Sequence, residues 1–458
     1  MDSDTIAAIS TSVGIGGIGI VRISGDEAFE VIERIFQPHD ASFDIQKSNS
    51  HVIKYGKIVD FEDQTIDEVL VSFFKAPKSY TKENVVEINC HGGNVVIRKI
   101  LDLAIKAGAR IAQPGEFTKR AFLNGRIDLT QAEAVIDMIN SKTDKAREAS
   151  VKQLEGFLKD KIQNTKNVLT DILVDIEAGI DYPDAEIEEI TKNNIISRLS
   201  DEKETLLRLY NSFDEGKILR DGIRTLIIGK PNVGKSSLMN YLLRENRAIV
   251  TDIPGTTRDT IEEMVNIKGI PLVLIDTAGI RQADNLVEEI GIKKALELVD
   301  EVDLVIAIFD ASSEFEDEDR QVLEKIQDKK SIILLNKIDK YEQIDDSIFD
   351  DIREEVIRVS IKEKENLDEI EDQIEELWRT KEFELNDEVV VSNVRHKELI
   401  YKSIESIEQA QESLSLNMPL DIISIDIKDS VERLAEITGE NVTEEVIDGI
   451  FSRFCLGK

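Results

Sequence analysis

The chain has 458 residues, which at roughly 100–200 residues per domain predicts two to four domains. It is 41% hydrophobic, enough for real cores; its 24 aromatic residues are too few for a ring-rich RNA-stacking surface; and its two cysteines, Cys90 and Cys455, lie too far apart for a disulfide scaffold or a cysteine-type zinc site. The formal net charge is −35 and every segment is acidic: net −3 over residues 1–120, −7 over 121–221, −16 over 222–382 and −9 over 383–458, which excludes the basic footprint of a free-standing nucleic-acid binder.

A local patch or a more basic partner must therefore supply phosphate contacts if the chain works on RNA; an acidic or halotolerant proteome would equally explain the charge. No apolar run approaches the roughly 18 residues of a membrane helix. Residues 1–10 lack a basic region followed by an apolar one, so the expectation is a cytoplasmic protein with reduced thiols and no membrane partner.

Short apolar runs punctuated by Gly and Pro open the chain. Residues 18–23, 69–74 and 85–89 read as strands, and His91-Gly92-Gly93 as a turn opening a helix near Val95. Residues 1–118 thus form an α+β domain. From Phe117 to about Gly216 the period changes to 3.6. Leu154, Leu158 and Ile162 share one face, as do Leu169, Ile172, Leu173 and Ile176. Tyr182-Pro183-Asp184 breaks the helix, which resumes near Glu186. Strand–loop–helix alternation runs from Arg224 to about Trp378, with the acidic run Glu314–Asp319 read as a solvated loop. Residues 383–458 are helical again, broken at Pro419 and Gly439, and are too few for an independent core. They are expected to pack on the helices of 119–216. The fold class is multi-domain α/β and α: an α+β domain over 1–118, a discontinuous helical domain over 119–221 and 383–458, and an inserted Ras-like P-loop domain with a mixed, mostly parallel sheet over 222–382.

The strongest signal is Gly229-Lys230-Pro231-Asn232-Val233-Gly234-Lys235-Ser236, a GxxxxGK[ST] phosphate loop between an apolar strand and a helix that continues from Ser237. Its glycines let backbone N–H groups approach phosphates, and the helix N-terminus adds positive potential. Lys235 reaches the β and γ phosphates, and the Ser236 hydroxyl ligates Mg²⁺. Asp276-Thr277-Ala278-Gly279 follows a buried strand, where an acid can hold the metal and a glycine N–H can sense the γ-phosphate. Asn336-Lys337-Ile338-Asp339 follows another. A carboxylate there accepts two donors from guanine that adenine does not offer, so the nucleotide is GTP. Ser360-Ile361-Lys362 sits where a further base-contacting loop belongs. Ile280 stands where Ras-like switches place a water-orienting glutamine, so water must be positioned otherwise. Gly255–Asp259 is a candidate switch loop, with Thr257 the better Mg²⁺ ligand and Thr256 a second choice.

With these residues in place, the sequence closely resembles the MnmE (TrmE) family of tRNA-modification GTPases. The likeness spans nearly the whole chain. It rests on Thr5–Ala8, Gly16–Gly25, Gln113–Phe122, Gly255–Asp259 and the ending Phe454-Cys455-Leu456-Gly457-Lys458. The resemblance implies a potassium-activated GTPase that adds an aminomethyl or carboxymethylaminomethyl group to C5 of the wobble uridine, position 34, of certain tRNAs. It implies a heterotetramer with an MnmG-type partner using FAD and NADH, a 5-formyl- or methylenetetrahydrofolate carbon donor, a homodimer through the N-terminal domain, and GTP-dependent dimerisation of the G domains.

Carried over by position, Asn232 ligates K⁺ together with backbone carbonyls of the loop Thr251–Thr256, namely Thr251, Ile253 and Thr256. That cation takes the part of an arginine finger. Glu288 orients the attacking water through a second water, so Glu288, Lys235 and Asn232 form the catalytic set. The GTP-binding set is Asn232, Val233, Gly234, Lys235, Ser236, Ser237, Thr251, Asp252, Ile253, Pro254, Gly255, Thr256, Thr257, Asp276, Thr277, Ala278, Gly279, Asn336, Lys337 and Asp339, with Mg²⁺ on Ser236 and Thr257. Arg281 matches a switch residue of open role. Arg22, Glu87, Arg126 and Lys458 match the folate pocket: a pterin offers N–H donors to Glu87, and its glutamate tail suits the cations. Arg126 departs from the common Lys, keeping charge and changing geometry. Cys455 is read as a small side chain near that pocket, although a nucleophilic role is conceivable, and His91 as a turn or dimer-interface residue. Two alternatives remain: a GTP-dependent assembly switch or scaffold without RNA chemistry, and a GTP-regulated one-carbon transferase with a non-RNA substrate.

Overall fold

The computed structural model describes residues 4–12, 14, 16–47, 49–181, 185–245, 263–275, 295–344, 346–349, 356–378 and 390–458. The chain divides into two compact units. One comprises Met1–Ile136, Gln153–Glu202 and Lys402–Lys458; the other comprises Asp137–Lys152 and Lys203–Tyr401.

The first unit holds a seven-stranded sheet of β1 (Ile6–Ile9), β2 (Ile18–Ser24), β3 (Phe36–Pro38), β4 (Val52–Val59), β5 (Thr65–Phe74), β6 (Val85–His91) and β7 (Arg110–Ile111), in the order β3-β4-β5-β6-β2-β1-β7. All neighbours are antiparallel except β1 and β7. Alternation along β2 sends Val21 and Ile23 into a core shared with Ile97, Ile100 and Leu103 of the helix Asn94–Lys106. Arg22, between them, faces the other way. Register sets it between Ala8 of β1 and Glu87 of β6. Ile6, Ala8, Ala112 and Phe117, with Tyr80, form a smaller apolar cluster.

Helix Phe157–Asp181 packs along helix Leu420–Thr438. Leu158, Ile162, Leu169, Ile172 and Ile176 are buried on one and Ile423, Ile427 and Leu434 on the other, as the 3.6 period predicts. Lys166 donates to Glu440 at 2.5 Å. Leu154 departs from expectation. Gly156 has φ 95 and separates helix Asp144–Glu155 from helix Phe157–Asp181, so Leu154 belongs to a different helix from Leu158 and Ile162.

The second unit holds β8 (Ile223–Ile228), β9 (Glu263–Ile267), β10 (Ile270–Leu274), β11 (Leu304–Asp310), β12 (Ser331–Asn336) and β13 (Val356–Val359), in the order β13-β12-β11-β8-β10-β9. Only β9 runs antiparallel to its neighbour. Both faces are covered, which is why β11 and β12 are nearly continuous apolar runs. Ile306, Ile308 and Leu334 meet Leu238 and Leu242 of helix Lys235–Glu245 and Ile370 and Ile374 of helix Leu367–Trp378. Val305, Ala307, Phe309 and Ile333 meet Val322 and Ile326 of helix Asp317–Ile326. The acidic run 314–319 is therefore not a solvated loop throughout. Glu316 caps this helix and Asp319 lies in its first turn, 3% exposed.

A polar network joins β7 and the helix Glu116–Leu123 to the segment that leads into β1. Glu116 accepts from both Arg110 Nη atoms, at 2.9 and 2.5 Å, from Arg120 at 3.0 Å and from the Gln113 N–H at 2.7 Å. Asp4 pairs with the same two arginines. Burial pushes the Glu116 carboxyl up, but the hydrogen bonds from Arg110, Gln113 and Arg120 outweigh it and hold it below its ordinary 4.5. A lowered carboxylate pKa gives stability that is complete above the unfolded value and lost as pH falls through the folded one. Glu116→Gln is therefore expected to cost about 2–4 kcal/mol at neutral pH, with a smaller further loss on acidification below pH 4.5 than wild type; chemical denaturation from pH 7 to 3 measures both.

Candidate functional site

Parallel strands bring their following loops to one edge of the sheet, the position where doubly wound folds bind ligands. The loop after β8 leads into helix Lys235–Glu245. Its shape demands glycine at two points. Gly229 has φ 151, and a Cβ there would stand 2.3 Å from the Ile308 carbonyl oxygen. Gly234 has φ 117, and its Cβ would stand 2.4 Å from Asn336 Nδ2. Asn232 occupies the left-handed region at φ 62, which asparagine tolerates better than most residues. Val233 is buried beneath the loop, while Asn232, Ser236 and Ser237 are exposed. The Lys235 ammonium donates to the Gly229 and Lys230 carbonyls at 2.7 and 2.6 Å. Two of its three N–H groups thus hold the loop, and the loop holds the ammonium over the helix N-terminus.

Asn336, at the end of β12, joins this loop to the next ones. Its Nδ2 donates to the Val233 carbonyl at 2.6 Å, and its Oδ1 accepts the Ile361 N–H at 3.1 Å. Asp339 accepts from the Ser360 hydroxyl at 2.7 Å. That hydrogen bond is the main reason the Asp339 carboxyl lies below its ordinary range, so it is an anion at neutral pH. Ser360 is itself held by backbone bonds in both directions with Glu365. Lys337 pairs with Asp310 at the end of β11, 2.5 Å apart. Burial pushes the Asp310 carboxyl up, but Lys337 and Ser312 outweigh it and keep it charged. The structure thus assembles Val233, Gly234, Lys235, Asn336, Lys337 and Asp339 in one contiguous set of loops. The expected positions Thr251, Asp252, Ile253, Pro254, Gly255, Thr256, Thr257, Asp276, Thr277, Ala278, Gly279, Ile280, Arg281 and Glu288 lie outside the described residues.

A second constellation sits on the outer face of the first sheet. Arg22 donates to Glu87 through Nε at 2.9 Å and pairs through Nη2 at 2.9 Å, while Nη1 donates to the Gly457 carbonyl at 3.3 Å. The guanidinium lies 5.6 Å from the Tyr80 ring and 5.5 Å from the Phe117 ring. Arg126 lies 4.7 Å over the same Tyr80 ring and donates to the Tyr80 carbonyl at 3.1 Å. The Ser10 hydroxyl donates to Gly457 at 3.0 Å and the Gly115 N–H to Cys455 at 3.4 Å, tethering the segment that carries Lys458. Arg22, Glu87 and Arg126 therefore converge around Tyr80, and Lys458 follows Gly457 directly. Sequence reasoning missed Tyr80, a lone aromatic without periodicity. Its place shows only when the β2–β6 register is known.

The two thiols differ. Cys90 is buried, and burial, helped by the Asp67 charge, pushes it up to about 11. It is a packing residue. Cys455 is exposed. His91, expected in a turn, is instead the last residue of β6, where it pairs with Asp67 at 2.7 Å.

Known proteins similar to this chain carry both parts of it. A model described as the TrmE N-terminus of a GTP-binding protein matches residues 5–126, and one described as the MnmE helical domain matches 129–455. A protein of Acetivibrio thermocellus named tRNA modification GTPase MnmE is 53% identical, covering 99% of each chain. Proteins of the same name from Streptococcus gordonii and Clostridioides difficile are 49% and 48% identical over the same shares.

The chain belongs to the MnmE family. Members of that family bear the name of tRNA modification GTPases, and this chain is a GTPase of tRNA modification. Among solved structures, the G domain of the Thermotoga maritima FeoB iron transporter is 28% identical with a TM-score of 0.25, covering 34% of this chain and 97% of that one. Gly234→Ala is expected to force the loop off Asn336 and to abolish guanine-nucleotide binding, a loss of at least about 100-fold in affinity, with the circular-dichroism spectrum unchanged; fluorescent-GDP titration measures the loss.

Proposed function

We propose that this chain is a potassium-activated GTP hydrolase that acts with an FAD- and NADH-using MnmG-type protein. Together they add an aminomethyl or carboxymethylaminomethyl group to C5 of uridine 34 in certain tRNAs. Family membership and the coexistence of two sites in one chain support the reading, and the outer-face constellation carries it. A switch or scaffold has no use for a guanidinium, a carboxylate and two rings converging on one point. A reduced pterin with a glutamate tail matches them: Glu87 meets ring N–H donors, Tyr80 and Phe117 meet a flat heterocycle, and Arg22, Arg126 and Lys458 meet carboxylates. When bound, the folate supplies the one-carbon unit. This chain's residues bind it, orient it and exclude water from it.

The finer assignments fit the same picture. Ser236 and Thr257 hold Mg²⁺. Asn232 and the carbonyls of Thr251, Ile253 and Thr256 hold K⁺, and Glu288 orients water. Residues 1–118 carry the folate and homodimer functions, 222–382 the GTPase, and 119–221 with 383–458 the helical domain. On the Arg22–Glu87 face of the sheet Ile53 is 63% exposed, and the paired Tyr55 and Leu70 are nearly half exposed. An apolar row of that kind suits a second copy of the chain. Among the described residues no helix is long and apolar enough to cross a membrane. The place of work we propose is the cytoplasm, where tRNA is found. The acidity of every segment assigns the tRNA phosphate contacts mainly to the partner.

Two outcomes test the reading. Deleting the gene is expected to leave uridine 34 without its C5 substituent in mass-spectrometric nucleoside analysis, with recovery on complementation by wild type and not by Arg22→Ala. Intact modification would leave the switch reading. GTP turnover is expected to be roughly 10–100 times faster in KCl than in NaCl at matched ionic strength; equal rates would remove the cation from the mechanism.

A further inference from the structure

The second residue of the phosphate loop is a lysine with a buried destination. Lys230 is 8% exposed and its ammonium lies 2.6 Å from Asp319 Oδ2 and 2.9 Å from Glu316 Oε2. Both acids belong to the start of helix Asp317–Ile326, on the far side of the sheet from helix Lys235–Glu245. Asp319 Oδ2 also accepts the Glu316 N–H at 3.0 Å, so the same oxygen caps the helix and holds the lysine. Its other oxygen, fully buried, has no hydrogen-bond partner among the described residues. A carboxylate that deep and that short of donors is tolerable only while a cation stays beside it. At its other end, the Lys230 main-chain carbonyl receives the Lys235 ammonium at 2.6 Å.

We infer that Lys230, Asp319 and Glu316 form an anchor that sets the position of the phosphate-binding ammonium. The chain of contacts is continuous. The acids fix the Lys230 side chain, which fixes the direction of its carbonyl, which fixes Lys235. Without the anchor the loop has more than one way to turn that carbonyl, and nucleotide binding must then order it. Lys230 and Asp319 are positioning residues that act through Lys235; neither is a catalytic residue. The anchor serves GDP and GTP alike, because the β-phosphate is common to both.

Fluorescent-GDP affinity, GTP turnover at saturation and melting temperature, all on the full chain, test this. Lys230→Met is expected to weaken GDP by about tenfold, with kcat at saturating GTP changed less than twofold. The double variant Lys230→Met/Asp319→Leu removes both buried charges and regains thermal stability over the single variant, yet keeps the tenfold loss. A purely structural pair would return affinity together with stability. Glu316→Ala lies at the exposed end of the cluster, is compatible with folding, and is expected to weaken GDP by about two- to threefold. A folded double variant with wild-type affinity overturns the inference. So does wild-type affinity in Glu316→Ala if the double variant does not fold.

Discussion

The buried amide of Asn336 is the contact on which the nucleotide site depends. It donates to Val233 and accepts from Ile361, so one side chain joins the loops that follow β8, β12 and β13. At 4% exposure neither bond can be exchanged for water. Losing one would strand a buried polar group at a cost of about 1–3 kcal/mol. The parallel order β13-β12-β11-β8 makes the contact possible by bringing three strand ends to one edge. Gly234 makes it close, since any side chain would occupy the space of the amide. Asp339 follows three residues later and is pinned to Ser360, so the carboxylate proposed to read guanine inherits its place from the same scaffold.

Electrostatics look contradictory until distance is considered. A segment of net −16 encloses a site for a polyanion. At physiological salt the screening length is about 8 Å, so most of that charge is felt weakly at the phosphates. Donors at short range decide the matter, and on the proposed reading these are loop N–H groups, the helix N-terminus and Lys235. Nearby carboxylates are not loose. Asp310, Asp319 and Glu316 are each paired with a lysine of the nucleotide loops. Glu87 on the first sheet is likewise paired with Arg22. The acidic composition is thus carried on surfaces, and the two sites are locally balanced.

Reading the sequence recovered what depends on neighbours in the chain. The phosphate loop, the strand–helix alternation and the helix ends at Pro419 and Gly439 are set by periodicity and turn chemistry within a few residues, while the expected break at Tyr182-Pro183-Asp184 lies outside the described residues. It failed where a distant partner decides. The run 314–319 is polar enough to read as solvated, yet Lys230, 86 residues from Glu316, gives Asp319 a reason to be buried. Tyr80 has no local signature, and its meaning comes from Arg22 and Arg126 on either side. Arg22 meets Gly457 across 435 residues, a pairing no periodicity predicts. Gly156 was visible as a glycine but not as a break, because one glycine inside an apolar pattern is tolerated as often as it ends a helix.

The posture of Lys235 bears on how the GTPase can switch. Its ammonium rests on the carbonyls of Gly229 and Lys230, so the loop's own backbone sets its place. An element built that way cannot by itself distinguish GTP from GDP. A ligand shifts an equilibrium only by its differential affinity for the two states. The difference between those nucleotides is the γ-phosphate. Groups that contact it must therefore carry the discrimination, and the sequence places these in the candidate switch loop Gly255–Asp259 and in Asp276–Gly279. The division is economical. On the proposed reading, the loops joined by Asn336 take guanine and the α- and β-phosphates, and the phosphate that hydrolysis removes falls to the switch segments.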